Sequence, residues 1–321
     1  MPMRLLITGG CGLIGSSLVE RAVGAGANVL VLDNLSTGRR ENLPADPRVE
    51  LVVGDVCDDP LVARLVRRAD RVIHLAAGVG VGLVLARPTG TLRQSLLGSE
   101  IILRHAAAAR RPLFFASTSE VYGESDGRPL REDEVLGFGS AERLRFTYAA
   151  GKAAGEALAF AYAREYGLPV VAGRFFNVTG PRQTARFGAV LPTFVDQALA
   201  GGPLTVHGDG SQTRSFLDVS DAAEYVWRLM ESPPSGGLLV NVGRDDPITV
   251  LDLARKVAAA ADPGARIERI APDYGAGFVA IHHRRPDTGR LVGRTGYRPR
   301  IALDETVRTC IRARRAAHTS R

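Results

Sequence analysis

The chain has 321 residues, 45% of them hydrophobic and 23% charged. That balance excludes a disordered or fibrous protein and suffices for one large or two smaller domains. A formal charge of +7 suits anionic ligands such as nucleotide diphosphates, but the basic residues are spread along the chain without interleaved aromatics, so nucleic acid is not the expected partner. No run of about 18 apolar residues is present, and no membrane span is expected. The N-terminal apolar core, Leu5 to Ile7, is too short for a secretory signal. Cys11, Cys57 and Cys310 are far apart and form no disulfide framework or metal-ligand pattern, which fits a reducing cytoplasm and no bound metal.

Arg4 to Thr8 reads as a buried parallel strand. It runs into Gly9-Gly-Cys-Gly12-Leu13-Ile14-Gly15 and then a helical pattern. Gly9, Gly12 and Gly15 permit a tight turn, close backbone approach to a pyrophosphate and close packing of helix on strand. The helix start, with Leu13 and Ile14 in it, would face the anion. A second strand, Asn28 to Leu32, ends in Asp33 and Asn34. The Asp33 carboxylate suits ribose hydroxyls and would repel a 2′-phosphate, which favours NAD over NADP. Strand, glycines, helix, strand and acid within a unit of about 30 residues predict dinucleotide binding.

Glu50 to Val53 reads as a strand ending at Gly54-Asp55-Val56, with a helix near Asp59 to Arg68 behind it. Arg71 to Ala77 is another strand, and the small residues after Leu75, Ala76 and Ala77, suit a backbone beside a cofactor. His74 lies within the apolar run and is expected to pack, not to ligate. A helix from about Leu92 to Arg110 leads to a strand over Leu113 to Ala116. The cluster Ser117-Thr118-Ser119 then sits at the strand's C-terminal end, where ligands bind in a doubly wound sheet.

Tyr148 and Lys152 are four residues apart at the head of an alanine-rich helical stretch, so they share one face, one turn apart. A nearby ammonium lowers a phenol's pKa. A phenolate beside a hydroxyl, Thr118 or Ser117, can take a proton from a substrate alcohol. Such a device is useful when hydride leaves the same carbon for a nicotinamide.

The accumulated motifs resemble the nucleotide-sugar branch of the extended short-chain dehydrogenase/reductase family. They are T-G-G-C-G-L-I-G (Thr8 to Gly15), D-N-L (Asp33 to Leu35), G-D-V (Gly54 to Val56), H-L-A-A (His74 to Ala77), S-T-S-E-V-Y-G (Ser117 to Gly123) and Y-A-A-G-K (Tyr148 to Lys152). R-F-F-N-V-T-G-P-R-Q (Arg174 to Gln183), G-D-G-S-Q-T-R-S-F (Gly208 to Phe216), N-V-G (Asn241 to Gly243) and R-R-P-D (Arg284 to Asp287) follow in the family's order. The resemblance implies an α/β fold: a Rossmann-type doubly wound parallel sheet over residues 1–175, with a smaller substrate lobe over 176–321 from which segments return to the sheet. It implies NAD, held by the glycine loop, Asp33, Asn34, Asp55, Val56, Leu75, Ala76, Ala77 and Ser117. It makes Tyr148 the phenolate, Lys152 the residue that orients the nicotinamide ribose and lowers the phenol pKa, and Thr118 the hydroxyl partner. Asn177 and Arg214 would hold a substrate diphosphate, and Arg284 would reach the diphosphate or the sugar. The stretches Gly188 to Pro192, with Val190 and Leu191, and Leu204 to His207, with Val206, would line the nucleoside pocket. The partner implied is a nucleotide-diphosphate sugar, and a homodimer through the helix near Leu92 to Arg110 is expected.

Three positions depart from the pattern. Ser95 stands where many relatives have Asn, and Gly151 replaces the usual Ser before the lysine. Ser119-Glu120 stands where dTDP-glucose-type 4,6-dehydratases carry Asp-Glu, so the acid that expels the C6 hydroxyl is missing. GDP-mannose-type dehydratases do use T-S-E. S-T-S-E-V-Y-G is also the motif of UDP-glucuronate decarboxylases, where a 4-ketone is the electron sink for loss of C6 as carbon dioxide, and Gly151 occurs in that group. Against decarboxylation, the stretches Gly78 to Gly82 and Tyr274 to Phe278 and the gap to Arg284 resemble a separate subgroup of NAD-dependent epimerases/dehydratases. A 4-epimerase asks least of the site: hydroxyl, Tyr, Lys, retained NAD and room for the ketose to turn over. The reading placed first is therefore a nucleotide-sugar 4-epimerase working through a transient 4-keto sugar and tightly bound NADH. Decarboxylation and dehydration come next, with Glu120 as the residue that separates them. An idle relative that binds NAD and a nucleotide comes last.

Overall fold

Apolar strands alternate with amphipathic helices over most of the chain, and the strands collect into a seven-stranded parallel sheet. The structure, a computed structural model, describes residues 2–78, 81–137, 139, 140, 142, 144–271 and 281–319. Tyr274 to Phe278, and residues 79 and 80 of the glycine-rich stretch, lie outside them. The strands are β1 (Arg4–Thr8), β2 (Asn28–Asp33), β3 (Val49–Val53), β4 (Arg71–His74), β5 (Leu113–Thr118), β6 (Val170–Phe175), β7 (Val178–Thr179), β8 (Leu204–His207), β9 (Thr213–Ser215), β10 (Leu217–Asp218), β11 (Gly237–Val242), β12 (Pro247–Thr249) and β13 (Ile267–Ile270). The helices are α1 (Leu13–Gly24), α2 (Asp59–Arg67), α3 (Val81–Ala86), α4 (Pro88–Ala108), α5 (Thr147–Tyr166), α6 (Val190–Leu199), α7 (Val219–Glu231), α8 (Val250–Ala261), α9 (Gly289–Thr295) and α10 (Leu303–Thr319).

The main sheet has the order β3-β2-β1-β4-β5-β6-β11. Strand side chains alternate between its two faces. Leu5, Ile7, Val29 and Val31 pack against α1 and α7, whereas Leu6, Leu30 and Leu32 pack against α2, α4 and α5. A third core joins α6, α8 and α10 with β8 in the second lobe. Thr249 starts α8 by accepting from the Asp252 amide at 3.0 Å, and Asp58 starts α2 by accepting from Leu61 at 3.1 Å. We propose the boundary expected from the sequence, 1–175 and 176–321, as the division into lobes. α7 and β11 come from beyond it yet pack on the first-lobe sheet.

Several expected boundaries shift. β4 stops at His74, not Ala77: the Leu75 amide bonds Thr8 O at 3.1 Å and the Ala76 amide bonds Thr8 Oγ1 at 3.2 Å, so the chain bends towards β1. β5 runs on to Thr118, because Ser117 and Thr118 pair with Arg174 and Phe175 of β6. The basic C-terminal run Arg312-Ala313-Arg314-Arg315 is helical in α10. Arg314 there bonds Gln183 O at 2.7 Å and pairs with Asp196 at 3.1 Å. Among the described residues no helix is long and apolar enough to cross a membrane.

One buried ion pair binds α5 to the sheet. Glu156 accepts from Arg174 Nε at 2.9 Å and Nη2 at 2.7 Å, and also from the Ser117 hydroxyl. Removing one partner of a buried pair strands the other charge, so Glu156→Ala should cost about 3–5 kcal/mol of folding stability. Chemical denaturation measures this. A loss under about 1 kcal/mol, the range of exposed pairs, would contradict the role of this contact.

Candidate active site

The strand order reverses at β1, between β2 and β4, and ligands bind such sheets at the carboxyl ends beside that reversal. A cavity of about 460 Å³ opens there. Gly9 has φ +71°, and a Cβ on it would lie 2.8 Å from the Ala76 nitrogen. A Cβ on Gly15 would lie 2.2 Å from Gly9 O. Only glycine allows α1 to start so close to the strand end. α1 begins after Gly12 without a side-chain cap, which leaves its first amides for an outside acceptor. Gly9, Gly12, Leu13, Ile14 and Gly15 all line the cavity, as do Leu75, Ala76 and Ala77 opposite them.

Asp33 ends β2 with its carboxylate accepting from the Cys11 amide at 2.9 Å and the Leu35 amide at 2.8 Å. It thus braces the glycine loop while lining the cavity. Asn34 lines the cavity and donates to Asp55 at 3.3 Å. Asp55 itself stands behind Asn34, outside the cavity lining, whereas Val56 is in it. A floor with no room for a Cβ, an uncapped helix start and a carboxylate at the neighbouring strand end fit NAD.

On the other side, Tyr148 and Lys152 sit one turn apart at the start of α5, both buried and both lining the cavity. Lys152 Nζ lies 5.0 Å from the Phe115 ring centroid and 6.0 Å from that of Tyr148. Burial pulls its pKa down to about 8. Burial also pushes the Tyr148 phenol above its usual value, and the Glu120 carboxylate adds to the rise. The expected lowering of the phenol pKa is therefore not met here: burial and the Glu120 carboxylate both act to raise it. Ser117 spends its hydroxyl proton on Glu156, which leaves Thr118 as the better placed of the two hydroxyls. Thr118 Oγ1 accepts from the Glu120 amide at 3.2 Å.

Glu120 and Arg284 face each other in the cavity wall, Oε1 to Nη1 3.6 Å, with Arg284 only 6% exposed. Asn177, at φ +30°, lines the cavity and bonds Ser215 O at 3.3 Å. Four expected substrate residues lie outside this cavity. Leu191 and Val206 are fully buried in the second-lobe core, and Val190 packs against that core. Arg214 bonds Thr213 O at 2.7 Å and Ile281 O at 2.8 Å. Of the same expected stretch, Gly188 and Ala189, just before α6, are the residues that line the cavity. The sequence reading also missed Arg182, which lines the cavity and bridges to Ser16 and Glu20 of α1. Its signal was the G-P-R-Q motif.

His74 packs as expected, Nδ1 2.8 Å from Thr8 Oγ1, and burial pulls its pKa down to about 3, so it stays neutral. The departures at 95 and 151 meet in space. A Cβ on Gly151 would lie 3.1 Å from Ser95 Cβ, so two small residues let α4 and α5 close together.

The sequence model of the NAD-dependent epimerase/dehydratase family matches residues 5–243, and the chain belongs to that family. It is an enzyme of the group that contains nucleotide-sugar epimerases, dehydratases and decarboxylases, and its cofactor is NAD. A UDP-N-acetyl-α-D-glucosaminuronate decarboxylase of Bacillus cytotoxicus is 33% identical over 97% of this chain and 97% of its own. UDP-glucuronic acid decarboxylase 1 of Arabidopsis thaliana is 35% identical over 94% of this chain and 68% of its own. The Thermus thermophilus UDP-glucose 4-epimerase, solved with NAD, superposes with a TM-score of 0.87 at 32% identity, covering 98% of this chain and 100% of that one.

Lys152 generates a test that does not depend on substrate. Its folded pKa of about 8 lies below the ordinary value of about 10.4. The protonated form is therefore disfavoured in the folded state below pH 8, and the penalty is relieved as pH rises from about 8 to about 10.4. Lys152→Met should be more stable than the parent at pH 7, by up to roughly 3 kcal/mol, with the gap closing across that window. Equal melting temperatures at pH 7 and pH 10 would contradict the burial cost.

Proposed function

We propose that the protein decarboxylates a UDP-linked sugar uronate, with NAD as a retained cofactor. The observation that carries this reading is the Glu120–Arg284 pair in the cavity wall beside Tyr148 and Thr118. A sugar with a neutral hydroxymethyl at C6 needs no guanidinium there, whereas a C6 carboxylate does. Arg284 would orient that carboxylate. Glu120 shares the same guanidinium, so it would weaken the hold on the carboxylate in the ground state. The likeness, over 94–97% of this chain, to relatives named as uronate decarboxylases supports the same reading. Ser119 stands where dTDP-glucose-type dehydratases carry an aspartic acid, so the acid that route uses to expel a C6 hydroxyl is absent at that position.

Tyr148, entering as the phenolate, would take the C4 hydroxyl proton while Thr118 hydrogen-bonds the same oxygen, and Lys152 would hold the cofactor ribose beneath them. NAD, when bound, would supply the hydride acceptor and donor at C4. With C4 a ketone, the C5–C6 bond breaks, C6 leaves as carbon dioxide, and its electron pair moves to the C4 oxygen as an enolate. C5 then takes a proton, and Tyr148 returns its proton to the C4 oxygen as the hydride comes back. A 4-epimerase is the second reading, favoured by the solved 4-epimerases that share the fold over the whole chain. It would use the same hydroxyl, tyrosine and lysine with no step at C5.

Incubation with UDP-glucuronate or UDP-N-acetylglucosaminuronate in D₂O should release carbon dioxide and leave deuterium at C5 of the shortened sugar. A product that keeps C6, inverts C4 and carries no deuterium would overturn decarboxylation in favour of epimerisation. Tyr148→Phe should keep the fold and NAD binding and lose about two to four decades of turnover, the usual worth of a general base. Glu120→Gln should fall between wild type and Tyr148→Phe, since it disturbs carboxylate placement without removing the base.

A further inference from the structure

The N-V-G stretch, Asn241 to Gly243, has no part in the chemistry above. Asn241 lies at the end of β11 and is fully buried. Its Oδ1 accepts from the Tyr122 hydroxyl at 2.6 Å. Its Nδ2 donates to Leu130 O at 2.9 Å and to Asp287 O at 3.2 Å. Its backbone amide donates to Glu132 at 2.8 Å. Burial pushes the Tyr122 phenol up to about 12, so it remains a donor at neutral pH.

Segments far apart in sequence thus converge on one side-chain amide. The segment carrying Arg284 is also fixed to Leu130: Leu130 N bonds Arg285 O and Asp287 N bonds Leu130 O, each at 2.8 Å. A Cβ on Gly243 would lie 2.8 Å from Pro286 Cγ, so glycine there lets the proline rest on the sheet end. Arg284 precedes Asp287 by three residues, and Glu120 precedes Tyr122 by two. Both partners of the 3.6 Å pair in the cavity wall are therefore held from behind by Asn241. Free rotation of this amide would leave buried carbonyls without donors, a cost that keeps its orientation single.

We propose that Asn241 is a positioning residue that sets Arg284 against Glu120, and so sets how tightly the site holds the anionic end of its nucleotide-sugar substrate. Only the nature of that anion, a uronate carboxylate, rests on the functional reading above.

Two measurements test the clamp on the NAD-loaded protein. In Asn241→Asp, which keeps the size and removes both amide donors, hydrogen exchange at the Leu130 and Asp287 amides should quicken about tenfold or more, while exchange in the loop of residues 9–15 and NAD affinity change less than about twofold. By calorimetry with UDP-glucuronate, Asn241→Asp should lose about tenfold in affinity, but less than about threefold in an Arg284→Lys background, because the coupled contact is already gone. If Asn241→Asp does not fold, Tyr122→Phe removes one bond of the clamp and should move both readouts in the same direction by about threefold. Unchanged exchange at Leu130 and Asp287, or equal affinity losses in both backgrounds, would overturn the proposal. A wild-type protein that releases no carbon dioxide while the exchange result holds would sink the decarboxylase reading and leave the clamp standing.

Discussion

The carboxylate of Glu156, buried against Arg174, is the contact on which the geometry of the site depends. Tyr148, Lys152 and Glu156 occur at intervals of four along α5, so they share one face of that helix. Two of them line the cavity; the third is hydrogen-bonded to Ser117 of β5 and Arg174 of β6. Sliding α5 by one turn, about 5.4 Å, would break that contact and withdraw the phenol from Thr118. A charge pair of this kind is weak as a source of net stability, because desolvation offsets its attraction. Its value here lies in register: one helix position satisfies it.

Epimerisation, decarboxylation and dehydration all pass through the same 4-keto sugar, so the tyrosine, lysine and threonine cannot distinguish them. What differs is the surrounding of C5 and C6. On the function proposed above, that surrounding would be supplied by Glu120 from the turn after β5 and by Arg284 from a segment more than a hundred residues later, the two groups that face each other in the cavity wall. On that reading, the choice of reaction would rest on how a late segment is docked onto an early one, not on the hydride machinery itself.

The first lobe was largely legible from the sequence, because its signals are local. Strand, glycines, helix and acid fall within one short unit, and Tyr148 and Lys152 are helix neighbours. The misses arise where position depends on tertiary packing. Leu191 and Val206 sit in motif-bearing stretches, yet their apolar side chains turn into the second-lobe core. The spacing of Tyr148 and Lys152 predicts proximity but not desolvation, so the direction of the phenol's shift was read wrongly. Asn241 was visible as part of a motif, but its partners, Tyr122, Leu130 and Asp287, are brought to it only by the folded sheet.

The main sheet is not contiguous in the chain. β11, its edge strand, pairs with β6 only after the chain has passed through β7, β8, β9, β10 and α7. During synthesis at about 5–20 residues per second, the first 175 residues emerge seconds before β11 does. In that interval β6, one of the most buried strands of the finished protein, presents an open edge of Val170, Val171 and Ala172. Such an edge is a template for pairing with another chain. The nascent protein thus needs its second lobe for completion of the first, and a fragment cut at the lobe boundary would carry this adhesive edge permanently.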